Sequence, residues 1–388
     1  MHRQCCAAIQ CFFCTLVQQR DTTAYHTGLR QWQHWYRSLN AVTQKRYTAA
    51  NNNVYYNLSC TYALLHQPAA ALCYLDTALQ YSYADYQHLV NDSDLVSLHQ
   101  LARFKALVQP LRAVGDYLFI LKTASVYDNT VHSNLLPAFT YQSPADTALI
   151  ALRRYFHLDS IAGTGNQTEQ VLNLLHWVHN LVPHDGNTEN PPVRDALHLV
   201  SVCRKEGRGL NCRGLATVLN ECYLAMGFKS RLVTCLPKDS LGIDPDCHVI
   251  NSVYVPALHK WIWADPTNDA YVMNEKGELL GIEEVRARLI NGEPLILNPD
   301  ANWNHRFTRS REEYLYGYMA KNLYLLQCPV NSIAGNETRM PGKVISYIQL
   351  NPVAYFRQKQ NGGAKSGTQQ GDLLYYNTNN AAAFWQAP

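Results

Sequence analysis

Residues 209–235 read GLNCRGLATVLNECYLAMGFKSRLVTC, and residues 244–269 read DPDCHVINSVYVPALHKWIWADPTND. Cys212 follows Asn211 and opens an apolar repeat through Leu215, Leu219, Cys222 and Met226, the spacing of one helical face. Gly227 stands just past that run, where a glycine closes a helix. Cys212 is therefore expected in the first turn of a helix of about four turns. A thiol there faces the positive end of the helix dipole and unpaired backbone N–H groups. Both favour the thiolate, which is the nucleophile. The same N–H groups can hold an oxyanion during acyl transfer.

Downstream, Lys229 to Leu236 is rich in β-formers and predicts a strand, and Lys238 to Asp246 a loop. His248 opens a second apolar run to Val255. Pro256 to Lys260 makes a turn, and Trp261 to Ala264 is a third run. Two strands joined by so short a turn form an antiparallel hairpin. His248, starting one strand, and Asp265, ending the next, then lie at the same end of the sheet. The count does not set the register, so an offset of a few residues is open. A histidine with a carboxylate partner can take a proton and hold one tautomer.

Taken singly, each residue has a plainer reading. A cysteine is commonly a small buried hydrophobe, and eleven others here have no claim to chemistry. A histidine on a strand is more often structural, and Asp-Pro more often a turn. In this order and context the three resemble the transglutaminase-like core, a rearranged relative of the papain fold. Its pattern is Cys at a helix start, His at a strand start, and Asp in an Asp-Pro-Thr ending the next strand. Cys212, His248 and Asp265-Pro266-Thr267 match it one by one. Gly227-Phe228 followed by Arg231 matches the link into the strand. The resemblance covers roughly residues 165 to 290. It departs at His248-Val249-Ile250, where many members have His-Ala-Trp, and at Leu210-Asn211-Cys212-Arg213, where animal transglutaminases have Gly-Gln-Cys-Trp. Those departures, with no EF-hand-like acidic loop, point away from calcium-dependent protein cross-linking.

The chain has 388 residues, enough for two or three domains, and 47% of them are hydrophobic, enough for a real core. A net charge of +3 with only 16% charged residues gives no nucleic-acid footprint. No apolar run reaches the ~18 residues needed to span a bilayer. Residues 1–20 carry Arg3 and an apolar run from Cys5 to Val17, resembling a bacterial secretory signal with cleavage near Val17-Gln18-Gln19. That implies a periplasmic or extracellular location. The alternative is a buried first helix and a cytoplasmic protein. Eight cysteines lie beyond this segment, none in a C-x-x-C, so no zinc ribbon is expected.

Residues 27–110 turn helical, with Tyr55, Leu58, Ser59, Tyr62, Ala71, Leu75 and Ala78 at offsets that resemble a tetratricopeptide repeat. Gln67-Pro68 marks the turn between its helices. One good repeat is visible, so a small module is expected, either docking a protein partner or capping the catalytic domain. Residues 111–144 read as a connector with a strand at Tyr117 to Thr123. Helices are expected over Ala145 to Asp159 and from Thr168 to Leu181. His176, His179 and His184 lack metal-ligand spacing and read as surface or core histidines, and Pro183 to Pro192 as a polar loop bordering the substrate groove. The core runs over 145–297. In the C-terminal extension, 298–388, Arg309 to Leu326 predicts a helix, Val344 to Leu350 a strand, and Gln358 to Gly371 a mobile loop.

The expected fold class is α+β, a papain/transglutaminase-like core with a helix packed on an antiparallel sheet, preceded by a helical repeat-like module. The expected function is cysteine-dependent acyl transfer on amide bonds of a peptide or protein. Cys212 is the nucleophile, His248 the base and acid, Asp265 its orienter, and Asn211 a further oxyanion donor. No cofactor or metal is expected. The alternative is a non-catalytic binding or scaffold protein on the same fold.

Overall fold

The structure, a computed structural model, describes residues 19–83, 85–124, 126–131, 136–238, 246–354, 364–368 and 371–388. The chain divides into two compact units, one running to Ile120 and the other beginning at Leu121. Of the expected secretory segment, 1–20, residues 1–18 lie outside the described residues. Among the described residues no helix is long and apolar enough to cross a membrane.

The first unit is built on helices Thr22–Ser38, Thr48–Leu64 and Pro68–Gln80. Pro68 suits a first helical position, where no backbone N–H is needed. Ser59 is small enough to let the second and third helices meet, and its hydroxyl donates to the Ala71 carbonyl oxygen at 2.8 Å. Tyr56 stacks on Tyr83 at 4.5 Å and Tyr62 on Tyr74 at 5.4 Å. Leu58, Leu75, Leu89, Leu95 and Phe104 fill the interior.

Tyr117–Thr123 is a helix, not the expected strand. An apolar run of this length does not by itself distinguish the two. Asp116 decides it, because its carboxylate accepts from Phe119 N–H at 3.1 Å and its carbonyl from Ile120 N–H at 2.8 Å.

The second unit holds four helices that bear on the site: α1 (Thr147–Phe156), α2 (Gln167–Leu181), α3 (Ala196–Glu206) and α4 (Cys212–Ala225). Every residue of α4 from Gly214 onward is buried. Leu149, Leu175, Val178 and Leu199 of the other helices close around Leu215 and Leu219. A helix covered on all sides sits in the middle of its domain, and its ends are then fixed by their surroundings. At the C-terminal end Gly227 takes φ +87, a conformation only glycine adopts without strain, and turns the chain into the sheet.

Seven strands form that sheet: β1 (Ser230–Leu236), β2 (His248–Val255), β3 (Lys260–Ala264), β4 (Leu325–Pro329), β5 (Val344–Leu350), β6 (Ala364–Thr368) and β7 (Gly371–Thr378). Their order is β6-β7-β5-β4-β1-β2-β3. The fold is thus a mix of helix and sheet, and the sheet is mixed rather than purely antiparallel. β5 and β7 run parallel, and every other neighbouring pair antiparallel. The long connection between β5 and β7 lets the chain re-enter in the same direction. α4 packs on this sheet, and Asn251 of β2 pins it by donating from Nδ2 to the Ala216 carbonyl at 3.0 Å.

Three further expectations are revised. Arg309 to Leu326 is not one helix. Glu312–Met319 is a π-helix and Ala320–Asn322 a short α-helix, but Leu325 and Leu326 enter β4. Pairing with β1 and β5 decides this, an influence no local pattern carries. Within Gln358 to Gly371, residues 364–368 are the edge strand β6 paired with β7, while 358–363 and 369–370 lie outside the described residues. The expected connector, 111–144, is divided between the units, and it joins the second from Leu121 onward. Asp128 N–H donates to the Asn379 carbonyl at 2.9 Å, and Thr140–Tyr141 pairs with Asn331–Ser332.

Candidate active site

Cys212 is the first residue of α4, as its spacing predicts. Asn211 caps the helix. Its Oδ1 accepts from Gly214 N–H at 3.2 Å and from Asn190 Nδ2 at 2.7 Å, while Asn211 N–H donates to Asn190 Oδ1 at 3.2 Å. The oxygen of Asn211 is thereby committed to the cap, and only its nitrogen remains for a donor role. Asn190 reaches this position because residue 214 has no side chain: a Cβ there would stand 2.6 Å from Asn190 Oδ1. Gly214→Ala is expected to push Asn190 off the cap and cost about 1–3 kcal/mol. It should also slow alkylation of Cys212, a drop measurable with iodoacetamide alongside thermal unfolding.

The pKa of the half-buried Cys212 thiol is held down to about 6, well below that of an ordinary thiol. Burial alone would raise it. Hydrogen bonds from His184 and His248, the charge on His248 and the backbone N–H of Val249 outweigh that burial. Its near neighbours Ala216, Leu232 and Val249 are apolar. The thiol lines a cavity of about 270 Å³ with Asn211, His248, Thr267, Trp303 and Tyr318 among its walls.

The hairpin register settles what the sequence left open. Asn251 of β2 faces Ala264 of β3, so Asp265 leaves the sheet beside the start of β2. His248 Nε2 and Asp265 Oδ2 are 2.7 Å apart, and both side chains are buried. Nε2 being engaged there, Nδ1 is the ring nitrogen that remains for Cys212, which lines the same cavity. Burial would lower the His248 pKa, but the Asp265 charge and hydrogen bond, with Cys212 behind them, raise it. Burial would likewise raise Asp265, but His248, Tyr314 and Asn268 pull it below the ordinary carboxylate range. Asp265 Oδ2 accepts from Tyr314 OH at 2.6 Å and Asn268 Nδ2 at 2.9 Å, and Oδ1 accepts from Thr267 N–H at 2.9 Å. A carboxylate with this many donors is kept ionised. Tyr318 stands edge-on to the His248 ring at 5.3 Å, and Arg309 Nε holds Asn268 Oδ1 at 2.8 Å.

The structure brings Cys212, His248 and Asp265 together and adds residues that sequence reasoning missed. His184 is a wall of the cavity beside Cys212 and helps to lower its pKa, rather than a surface or core histidine. Tyr314, Tyr318, Trp303 and Arg309 come from the C-terminal stretch to which no function was assigned. His176 Nδ1 lies 2.7 Å from Asp269 Oδ1 and His179 Nδ1 3.0 Å from the Pro266 carbonyl, so both brace the loop that carries Asp265. The signal for His184 was its place in the polar loop Pro183 to Pro192, which does border the cavity. Nothing local marked the others.

Among the described residues, Cys60, Asp92 and Asp94 of the first unit have ligating atoms within 4.8 Å of one another. Asp92 there already accepts from Tyr56 OH and from Asp94 N–H, which accounts for the cluster as a helix cap.

A search of the curated proteins returned no match. Among solved structures, a candidate cysteine protease from Cytophaga hutchinsonii aligns at 16% identity with a TM-score of 0.24, over 39% of this chain and 54% of that one. The match therefore spans about half the length of that protein. Residues 156–266 match the transglutaminase-like superfamily, so the chain carries a transglutaminase-like domain that contains His184, Cys212, His248 and Asp265.

Proposed function

We propose that the second unit catalyses cysteine-dependent acyl transfer from amide bonds of a peptide or protein, with Cys212, His248 and Asp265 as its catalytic group. The observation that carries this is a thiol held at about 6 against a buried His248–Asp265 pair, in a cavity open to solvent. A buried ion pair with no chemical task is costly to keep, and a depressed cysteine in a cleft is the usual mark of a nucleophile.

The chemistry follows from the positions. The Cys212 thiolate attacks the amide carbonyl carbon, forming a C–S bond and sending the carbonyl pair to oxygen. The His248 imidazolium gives its Nδ1 proton to the leaving nitrogen, and the C–N bond breaks as the carbonyl reforms. The resulting thioester is opened by water or an amine: His248 takes its proton as the new bond to the acyl carbon forms, and the C–S bond then breaks to return the Cys212 thiolate. Asp265 keeps the second ring proton on Nε2 and stabilises the imidazolium. Water as acceptor makes the protein a peptidase or amidase, and an amine makes it a transferase.

The test is to expose the full chain to libraries of peptide amides and cell-wall fragments, quench in acid, and map covalent adducts by mass. A thioester on Cys212, absent from Cys212→Ala, is the expected result. A Cys212 that alkylates readily at pH 6 yet never acquires an acyl group would replace this reading with that of a binding protein.

A further inference from the structure

Two imidazoles line the cavity with Cys212, and their surroundings differ. His248 is backed by a carboxylate that can stabilise a positive ring. His184 is backed by an indole: Trp303 Nε1–H points at His184 Nδ1 at 3.0 Å. An indole N–H is only ever a donor. The hydrogen-bond network therefore makes His184 Nδ1 an acceptor and places the ring proton on Nε2, the nitrogen left for Cys212. Protonating Nδ1 as well would set one N–H against another.

The backbone of His184 is gripped as firmly as its ring. Its N–H donates to Asn304 Oδ1 at 2.7 Å, and its carbonyl accepts from Asn304 Nδ2 at 2.8 Å. Its neighbours bridge to the stretch leading to Cys212, with Asp185 N–H on the Leu210 carbonyl at 2.7 Å and Leu210 N–H on the Pro183 carbonyl at 3.0 Å. The ring of Trp303 rests in turn on Phe307, stacked at 5.9 Å. A donor whose backbone, ring plane and tautomer are all held pays no reorganisation when charge develops beside it.

We propose that His184, held as the neutral Nε2–H tautomer by Trp303, is the side-chain donor that stabilises the oxyanion formed when Cys212 attacks a carbonyl. In the resting protein His184 and Cys212 line the same cavity, so this N–H is available to the sulfur. As the C–S bond forms, the negative charge leaves sulfur for the carbonyl oxygen, and the N–H follows it. The Cys212 backbone N–H is the second donor, since the first amides of a helix have no partner within it. A neutral imidazole can act as an electrophile in this way without exchanging a proton, which leaves proton transfer to His248. The two histidines thus divide the work according to their partners, a carboxylate for the base and an N–H donor for the electrophile.

This inference rests on the acyl-transfer reading, and a substrate-independent pair of probes separates the two. p-Nitrophenyl acetate acylates Cys212 through an oxyanion, with p-nitrophenolate leaving and needing no proton. Iodoacetamide alkylates the same sulfur by displacing iodide, with no oxyanion. Both rates are read at Cys212 by peptide mapping, at a pH where the thiol is fully ionised in each variant. His184→Phe should lower the limiting acylation rate about 100-fold, the usual loss for one oxyanion donor, and leave the limiting alkylation rate within about twofold. His184→Gln, which still presents an N–H, should recover about tenfold of that loss, and Trp303→Phe, which frees the tautomer, should lose about tenfold. Parallel losses in both rates, equal damage in the Gln and Phe variants, or acylation untouched by His184→Phe would each overturn the donor role while leaving acyl transfer standing. A wild-type Cys212 that alkylates but is never acylated would overturn both.

Discussion

His248→Ala is expected to move the midpoint of Cys212 alkylation from about pH 6 toward that of an ordinary thiol. The sign follows from which form each partner stabilises. The His248 charge and hydrogen bond both lower the Cys212 pKa, so removing them raises it. Reactivity is then lost from the lower end of the window, between about pH 6 and the new midpoint. The return is incomplete, because the His184 bond, the Val249 N–H and the start of α4 remain. Acyl transfer should suffer more than alkylation. It loses the thiolate and also the proton that the leaving nitrogen needs, a step worth about two to four powers of ten. Iodoacetamide labelling against pH, mapped at Cys212, reads the first effect. Turnover of any substrate found by thioester trapping reads the second. A midpoint that stays at about pH 6 in His248→Ala would remove His248 from the mechanism.

Asp265→Asn should be the other large loss. Asp265 Oδ2 accepts from His248, Tyr314 and Asn268 together, so it meets only donors. An amide nitrogen placed there presents N–H to all three. His248 must then accept at Nε2 and carry its proton on Nδ1, facing Cys212, which is the wrong tautomer for a base. A change of this kind in a serine triad costs about four powers of ten in rate. The loss here should be smaller for alkylation than for acyl transfer, because part of the thiolate stabilisation comes from His184. Turning the amide over puts its nitrogen against Thr267 N–H, another donor, so neither rotamer escapes. Stability should fall by about 1–3 kcal/mol, or several degrees in Tm, with the fold retained. The pH dependence has a definite sign too. Asp265 is depressed when folded, so the stability it supplies is full above the ordinary carboxylate range and is lost as pH falls through its lowered value. Wild type should show this acid loss and Asp265→Asn should not. Tm against pH for the two proteins checks it.

The amino-acid sequence by itself determined which elements carry Cys212, His248 and Asp265, because each is marked by a short-range rule. Asn211 before an apolar repeat and Gly227 after it bound a helix with Cys212 in its first turn. Val249 to Val255, a tight turn and Trp261 to Ala264 are a hairpin, which brings His248 and Asp265 to the same end of the sheet, while the register that pairs them is seen only in the structure. The tertiary structure alone decided what surrounds that group. Trp303 meets His184 across 119 residues, and Tyr314 meets Asp265 across 49. Contacts at such separations leave no periodicity or cap behind. Tyr117–Thr123 and Leu325–Pro329 show the same divide from the other side. Both are short apolar runs compatible with helix or strand, one decided by the cap at Asp116 and the other by pairing in the sheet. A run of that length buries equally well either way, so its conformation goes to whichever partner satisfies its backbone hydrogen bonds.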